Sequence, residues 1–246
     1  MGYEPEHYGQ AWADVYDDVF KMTPLAPESV VADVIAELAG GGRVLELAIG
    51  TGRLALPIAA RGVEIHGVDA SAAMVERMRA KPGGADIPVT MGDFADPLPE
   101  GPWSVVLLAF NTLFALPDQA RQLDCFREVA AVLADDGVFV VECFVPDLGR
   151  FDRGQRVSGI RSRADEIHLE VSHVDVVTQT VTTNQMLMRD GEPPRILPVH
   201  LRYAWPAEID LMARLAGLEL RERWASFERQ PFTAASPIHV SIYRRM

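Results

Sequence analysis

The stretch RVLELAIGTGRLALPIA, Arg43 to Ala59, constrains the fold more than any other part of the chain. An apolar run stops at Ala48, Gly50-Thr51-Gly52 makes a turn, and a helix-like pattern follows. Glycine adopts backbone conformations closed to other residues and lets a ligand come close to the main chain. The amides opening the helix behind it form a polar cradle. Strand, glycine turn and helix in succession open a parallel α/β sheet, whose ligands sit beyond the carboxyl ends of the strands.

The chain continues in that rhythm. VEIHGVD reads as a second strand, ADIPVTMGD as a third, WSVVLLAF as a fourth and GVFVVECF as a fifth. Between them lie a helix that Ser71 can cap and a longer one that Asp118 can cap. Continuously apolar strands alternating with helices describe a doubly wound, Rossmann-like sheet covered on both faces. Before it, Tyr8–Phe20 reads as a short amphipathic helix and PESVVADVIAEL as a second one, stopped at Gly40-Gly41-Gly42.

The alternation then changes. Asp165 to Trp205 holds three strand-like runs, divided near Thr178 and at Arg189-Asp190-Gly191-Glu192, which predicts an antiparallel meander. PAEIDLMARLAG is a helix with Pro206 at its start and Gly217 at its end. LELRERWASF and PIHVSIYRR close the chain as strands. The expected layout is an N-terminal helical cap (1–42), a cofactor core (43–145), an added antiparallel layer (146–205) and a helix with a strand pair completing the core (206–246).

Apolar residues make up 48% of the 246, enough for a large core. The net charge of −12 disfavours nucleic acid and anionic membranes as partners. No apolar run is long enough to span a bilayer, and the polar, acidic start is unlike a signal peptide. A cytoplasmic location is expected. Cys125 and Cys143 read as buried thiols, with neither a disulfide nor a metal site.

Two cofactors fit the turn. Gly50-x-Gly52-x-x-Ala55 matches the dinucleotide fingerprint and allows a nicotinamide-dependent oxidoreductase. The acids at the strand ends, Glu46, Asp69 and Asp93, point elsewhere. A carboxylate beneath a pyrophosphate is repelled, whereas one beside a cationic amino-acid tail is favoured. S-adenosylmethionine carries an ammonium and a sulfonium and no phosphate. Arg53 counts slightly the other way, since it could face a phosphate.

The stretches VLELAIGTG, HGVDAS, MGDFAD, AFNTLFAL and DDGVFVVE, in this order between Arg43 and Glu142, resemble those of class I S-adenosylmethionine-dependent methyltransferases. The resemblance implies that Ala48, Gly50, Thr51 and Gly52 form the loop under the methionyl portion and ribose, and that Glu46 contacts the amino group. It implies that Asp69 holds the ribose, with Ala70 and Met74 flanking the adenine. Asp93 would accept from the adenine amino group, with Phe94 beside it, and Ala109 and Asn111 would border the reacting methyl. Tyr8 and Tyr16 would lie on a helix closing over the cofactor. The resemblance also implies that the last strand inserts antiparallel. The chain departs from the family at Ala48-Ile49, where Gly-Cys or Gly-Ser is frequent. A non-catalytic S-adenosylmethionine-binding protein is a further reading.

An amine acceptor needs only a neutral nitrogen, whereas a hydroxyl needs a general base. Candidate bases are His7, Glu142, His173, His200 and His239. Glu142 ends the fifth strand. His173 alternates with Ile167, Leu169 and Val171, which predicts a core position. His200 alternates with Arg202. Arg150, Arg153 and Arg156 belong to the run RFDRGQRVSGIRSR, which reads either as a solvated loop or as a clamp for an anionic substrate handle. The meander resembles the added layer of methyltransferases acting on the amino group of nucleotide-linked deoxysugars in antibiotic pathways. It would roof a small-molecule acceptor, form a homodimer contact, or both.

Overall fold

The computed structural model describes Gly9, residues 12–17 and residues 26–246. His7, Tyr8 and much of the expected N-terminal helix lie outside the described residues. The described residues up to Val145, together with Trp205–Met246, form one compact unit, and Pro146–Ala204 form a second.

The first unit is built on a seven-stranded sheet. Helix α1 (Glu28–Ala39) buries Val31, Ala32, Ile35 and Ala39 and ends at Gly40, whose φ of 57° a glycine adopts freely. Strand β1 (Val44–Leu47) has all four residues buried. After the glycine turn come α2 (Ala55–Ala59), β2 (Ile65–Asp69) and α3 (Ala72–Arg79). Next are β3 (Val89–Met91), β4 (Trp103–Leu108), α4 (Gln119–Val132) and β5 (Leu133–Phe144). Both expected caps form: Ser71 Oγ accepts the Met74 amide and Asp118 Oδ1 the Arg121 amide. The third strand is shorter than its sequence pattern, because residues 84–86 turn into a single 3₁₀ turn. The fifth is longer, since α4 runs directly into it.

Helix α5 (Pro206–Leu215) leads to β10 (Leu218–Trp224) and β11 (Ile238–Arg245). The strand order is β10-β11-β5-β4-β1-β2-β3. Strands β1 to β5 pair in parallel, and β11 inserts antiparallel between β5 and β10. The order reverses between β1 and β4, so their carboxyl ends diverge and leave a crevice there.

The second unit is an antiparallel sheet of β6 (Gln155–Ser162), β7 (Glu166–Asp175), β8 (Thr180–Arg189) and β9 (Arg195–Arg202), paired in chain order. The meander therefore has four strands and not three: the arginine run, read as a loop, is itself β6. Its alternation is broken by an irregularity between Gly159 and Arg161, which hides the strand period. The facing is also the reverse of expectation. Val157, Ile167 and Val171 are exposed, and the interleaved His168, Ser172 and Val174 are buried. His173 thus stands on an exposed face, not in a core, because the apolar set it alternates with faces outward. No helix among the described residues is long and apolar enough to cross a membrane.

Candidate active site

A pocket opens at the crevice between β1 and β4. It is lined by the end of β1 from Glu46, the turn from Ala48 to Thr51, Arg53, and Ala109 and Phe110 after β4, with Tyr16 from the N-terminal segment. Six of the residues expected at a cofactor, Tyr16, Glu46, Ala48, Gly50, Thr51 and Ala109, line this one cavity.

The turn is tightly specified. Ala48, Gly50 and Gly52 all have positive φ, at 54°, 57° and 75°. A Cβ on Gly52 would come within 2.5 Å of Met78 Cγ, so glycine is required by space as well as by conformation. Asp69 fixes the turn from the side: Oδ2 accepts the Gly50 amide at 2.7 Å and Oδ1 the Ser71 amide at 2.8 Å. Thr51 Oγ1 donates to Asp17 Oδ1 at 2.7 Å, and Lys81 bridges Asp17 Oδ2 and the Thr51 carbonyl. The N-terminal segment is thereby tied to the turn.

Two side chains give the pocket its electrostatics. Glu46 is buried, and its Oε2 has no hydrogen-bond partner among the described residues. Burial pushes its carboxyl up to about 8, Arg53 pulls it down, and Asp69 pushes it up further. The Arg53 guanidinium lies 5.6 Å from the Phe110 ring centroid. It also favours the ionised form of the Tyr16 hydroxyl, although burial raises that group overall. The pocket thus presents one carboxylate and one guanidinium from the same strand–turn–helix unit, a pair complementary to the ammonium and carboxylate of an α-amino acid. Arg53, weighed above as a residue that could face a phosphate, lines the same pocket as Glu46.

The remaining expected residues fall around this pocket in supporting positions. Asn111 Oδ1 accepts the Phe144 amide at 2.6 Å, and Glu142 Oε2 accepts the Phe110 amide at 2.8 Å. Phe110 and Asn111 both have positive φ, at 55° and 62°. Such a pair of non-glycine residues is held only by compensating bonds, and these two side chains supply them. Glu142, raised by burial, is therefore a holder of the loop after β4. Met74 and Phe94 are buried. Ala70 is half-buried at the end of β2. Asp93 Oδ2 accepts from Arg121 at 3.0 Å and Oδ1 accepts the Ala95 amide at 2.9 Å.

In the second unit His173 and His200 are exposed, and His200 Nδ1 lies 3.2 Å from Thr182 Oγ1. Arg150 and Arg156 each stand 3.8 Å from Glu170. Arg153 is exposed in the turn before β6, with φ of 48°.

Residues 44–137 match the family model described as a methyltransferase domain. The CcbJ methyltransferase of Streptomyces caelestis is 42% identical, with 99% of each chain covered and a TM-score of 0.91. The chain belongs to the S-adenosylmethionine-dependent methyltransferases. As in other methyltransferases, its cofactor is S-adenosylmethionine, and the family decides between the two readings of the glycine turn. The cypemycin N-terminal methyltransferase of a Streptomyces species is 29% identical over 241 residues, 95% of each chain. Streptomyces venezuelae DesVI, 21% identical with 97% and 99% of the chains covered, shares the fold at a TM-score of 0.70.

Proposed function

We propose that this methyltransferase acts on an amine nitrogen of a small molecule, most specifically the amino group of a nucleotide-linked deoxysugar in natural-product biosynthesis. The observation that carries the cofactor side of this reading is the buried, unpartnered oxygen of Glu46 in a pocket shared with Arg53. In this reading Glu46 holds the ammonium and Arg53 the carboxylate of the methionyl portion. Asp69 accepts from ribose hydroxyls while keeping its two backbone bonds, since each carboxylate oxygen can accept more than one. Ala48, Gly50, Thr51 and Gly52 bring their backbone against the cofactor, and Tyr16 closes the pocket. Ala70 and Met74 flank the adenine, and Asp93, oriented by Arg121, meets its amino group.

S-adenosylmethionine supplies the methyl group and a good leaving group when bound. The residues' task is then alignment and exclusion of water. Glu142 and Asn111 serve it by fixing the strained loop that brings Ala109 and Phe110 to the pocket. A neutral amine attacks without a base. Nitrogen is favoured over oxygen because Glu142 already holds the Phe110 amide, and His173 and His200 lie exposed on the second unit's sheet.

The acceptor class draws on relatives. The cypemycin enzyme is named for an N-terminus, which supports nitrogen and also favours a second reading, a peptide amine. Residues 43–145 act as the cofactor core, capped by 1–42 and completed by 206–246, and the 146–205 layer carries acceptor recognition. Its exposed apolar face, with Val157 and Ile196, makes the homodimer contact, which sedimentation velocity tests. The substrate reading is tested by mass spectrometry of acceptors incubated with enzyme and S-adenosylmethionine. Methylation of a nucleotide-linked amino sugar, and not of an unblocked peptide, is expected. Methylation of the peptide alone would replace the first reading with the second.

A further inference from the structure

Residues 12–17 are fastened along one face of α3. Asp14 pairs with Arg77, and Asp17 Oδ2 with Lys81 Nζ at 2.7 Å. Gly9 lies against the start of the same helix, where a Cβ would clash with Ser71 and come within 3.2 Å of Met74 Cγ. Met74, Arg77 and Lys81 follow at the i, i+3, i+7 spacing of one helical face, the last just beyond the end of α3. Two acids of the N-terminal segment therefore meet two bases of one helical row.

The same segment reaches the pocket. Tyr16, next to Asp17, lines it together with Glu46 and Arg53, and its hydroxyl is hydrogen-bonded with Arg53. Asp17 Oδ1 accepts from Thr51 Oγ1 at 2.7 Å, and Lys81 Nζ donates to the Thr51 carbonyl at 2.9 Å. Asp17 and Lys81 thus join the segment, the glycine turn and α3 at one point. A molecule seated against the turn has this segment as one wall.

The fastening is of two kinds. Trp12, Ala13 and Val15 are buried, so apolar contact docks the segment. The ion pairs are not buried: their four side chains are between 32% and 69% exposed. Pairs of that exposure are weak singly and screened by salt. Weak local fastening marks a part that opens without the rest of the fold, and movements of this kind often limit product release.

We propose that residues 12–17 form a strap over the cofactor pocket, and that the charge seam of Asp14 with Arg77 and Asp17 with Lys81 sets how fast S-adenosylhomocysteine leaves. The inference rests on the reading above that the methionyl portion lies between Glu46 and Arg53. Arg77 and Lys81 lie outside the pocket lining. They are positioning residues, acting through Tyr16 and the turn. Release lifts the strap, so each turnover breaks the seam and remakes it.

The test uses the full chain with S-adenosylhomocysteine. NMR relaxation dispersion of the ligand reads its dissociation rate, and hydrogen exchange of the peptide spanning residues 12–17 reads the strap. In wild type the ligand should slow exchange in that peptide, and added sodium chloride should speed release. Lys81→Met and Asp14→Arg should each speed release roughly 2–5-fold, the scale of one part-exposed ion pair. Lys81→Arg should keep the wild-type rate. Arg77→Asp, added to Asp14→Arg, should restore it, because the seam is then rebuilt with its charges exchanged. If Lys81→Met does not fold, the Asp14 and Arg77 variants carry the test. Unchanged release in the folded variants, or no rescue by the exchanged charges, would overturn the proposal and leave the cofactor assignment standing. Glu46→Gln separates the two readings: S-adenosylhomocysteine affinity indifferent to that change would overturn the pocket reading and this proposal with it.

Discussion

Asp69 Oδ2 accepts the Gly50 amide at 2.7 Å while its other oxygen accepts the Ser71 amide at 2.8 Å. One carboxylate therefore ties the end of β2 to the glycine turn after β1 and to the start of α3. A residue expected from the sequence to serve a ligand also assembles the loop that would receive it. Burial raises its carboxyl, and the two amide bonds pull it back.

Asp69→Ala strands two amides, and each unmatched buried group costs about 1–3 kcal/mol. The expected loss of stability is roughly 2–4 kcal/mol in urea titration, together with weaker cofactor binding. A variant as stable as wild type would show that the two bonds contribute nothing.

Ala48 occupies a left-handed conformation, φ 54°, which glycine adopts without strain. Ala48→Gly relieves that strain and should raise stability by about 0.5–1 kcal/mol. A destabilised variant would mean that the alanine methyl packs usefully enough to outweigh the strain.

The Glu46 carboxyl, ordinarily near 4.5, is raised to about 8 by burial. Near neutral pH the folded chain then holds a proton that the unfolded chain has released. Stability of the cofactor-free protein should fall as pH rises from about 4.5 to about 8. Pairing with an ammonium reverses the shift, so cofactor binding at pH near 6.5 should release about one proton. Calorimetry in buffers of different ionisation enthalpy measures this. Glu46→Gln should abolish the release and flatten that part of the stability profile. Equal proton release in wild type and Glu46→Gln would place the titrating group elsewhere.

How far the sequence could be read depends on what each signal encodes. The β1 turn and the helix caps at Ser71 and Asp118 were legible, because each rests on local chemistry: left-handed backbone and a side chain matching an orphan amide. The antiparallel insertion of the last strand followed from the family resemblance and not from its own residues. Strand β6 was not legible, since the irregularity at Gly159–Arg161 breaks its period and arginines mask its alternation. The period of Ile167, Leu169, Val171 and His173 predicts one shared face, but not which way it looks, and this sheet turns Ile167, Val171 and His173 outward. At the site, the position of Glu46 in the strand before the glycine turn was legible from the apolar run around it. The bonds of Asp69, Asn111 and Glu142 to the Gly50, Phe144 and Phe110 amides were not, because they join segments distant in sequence.

The most direct test of the central claim, that this pocket is built for the amino-acid end of S-adenosylmethionine, is calorimetric titration with S-adenosylhomocysteine and, separately, with NADH. The account predicts a Kd on the order of 1–100 μM for S-adenosylhomocysteine, about −5.5 to −8 kcal/mol. It predicts a loss of roughly 10-fold or more in Glu46→Gln, the scale of a hydrogen bond to a charged group, and no measurable binding of NADH. Tighter binding of NADH, or S-adenosylhomocysteine affinity indifferent to Glu46→Gln, would contradict it.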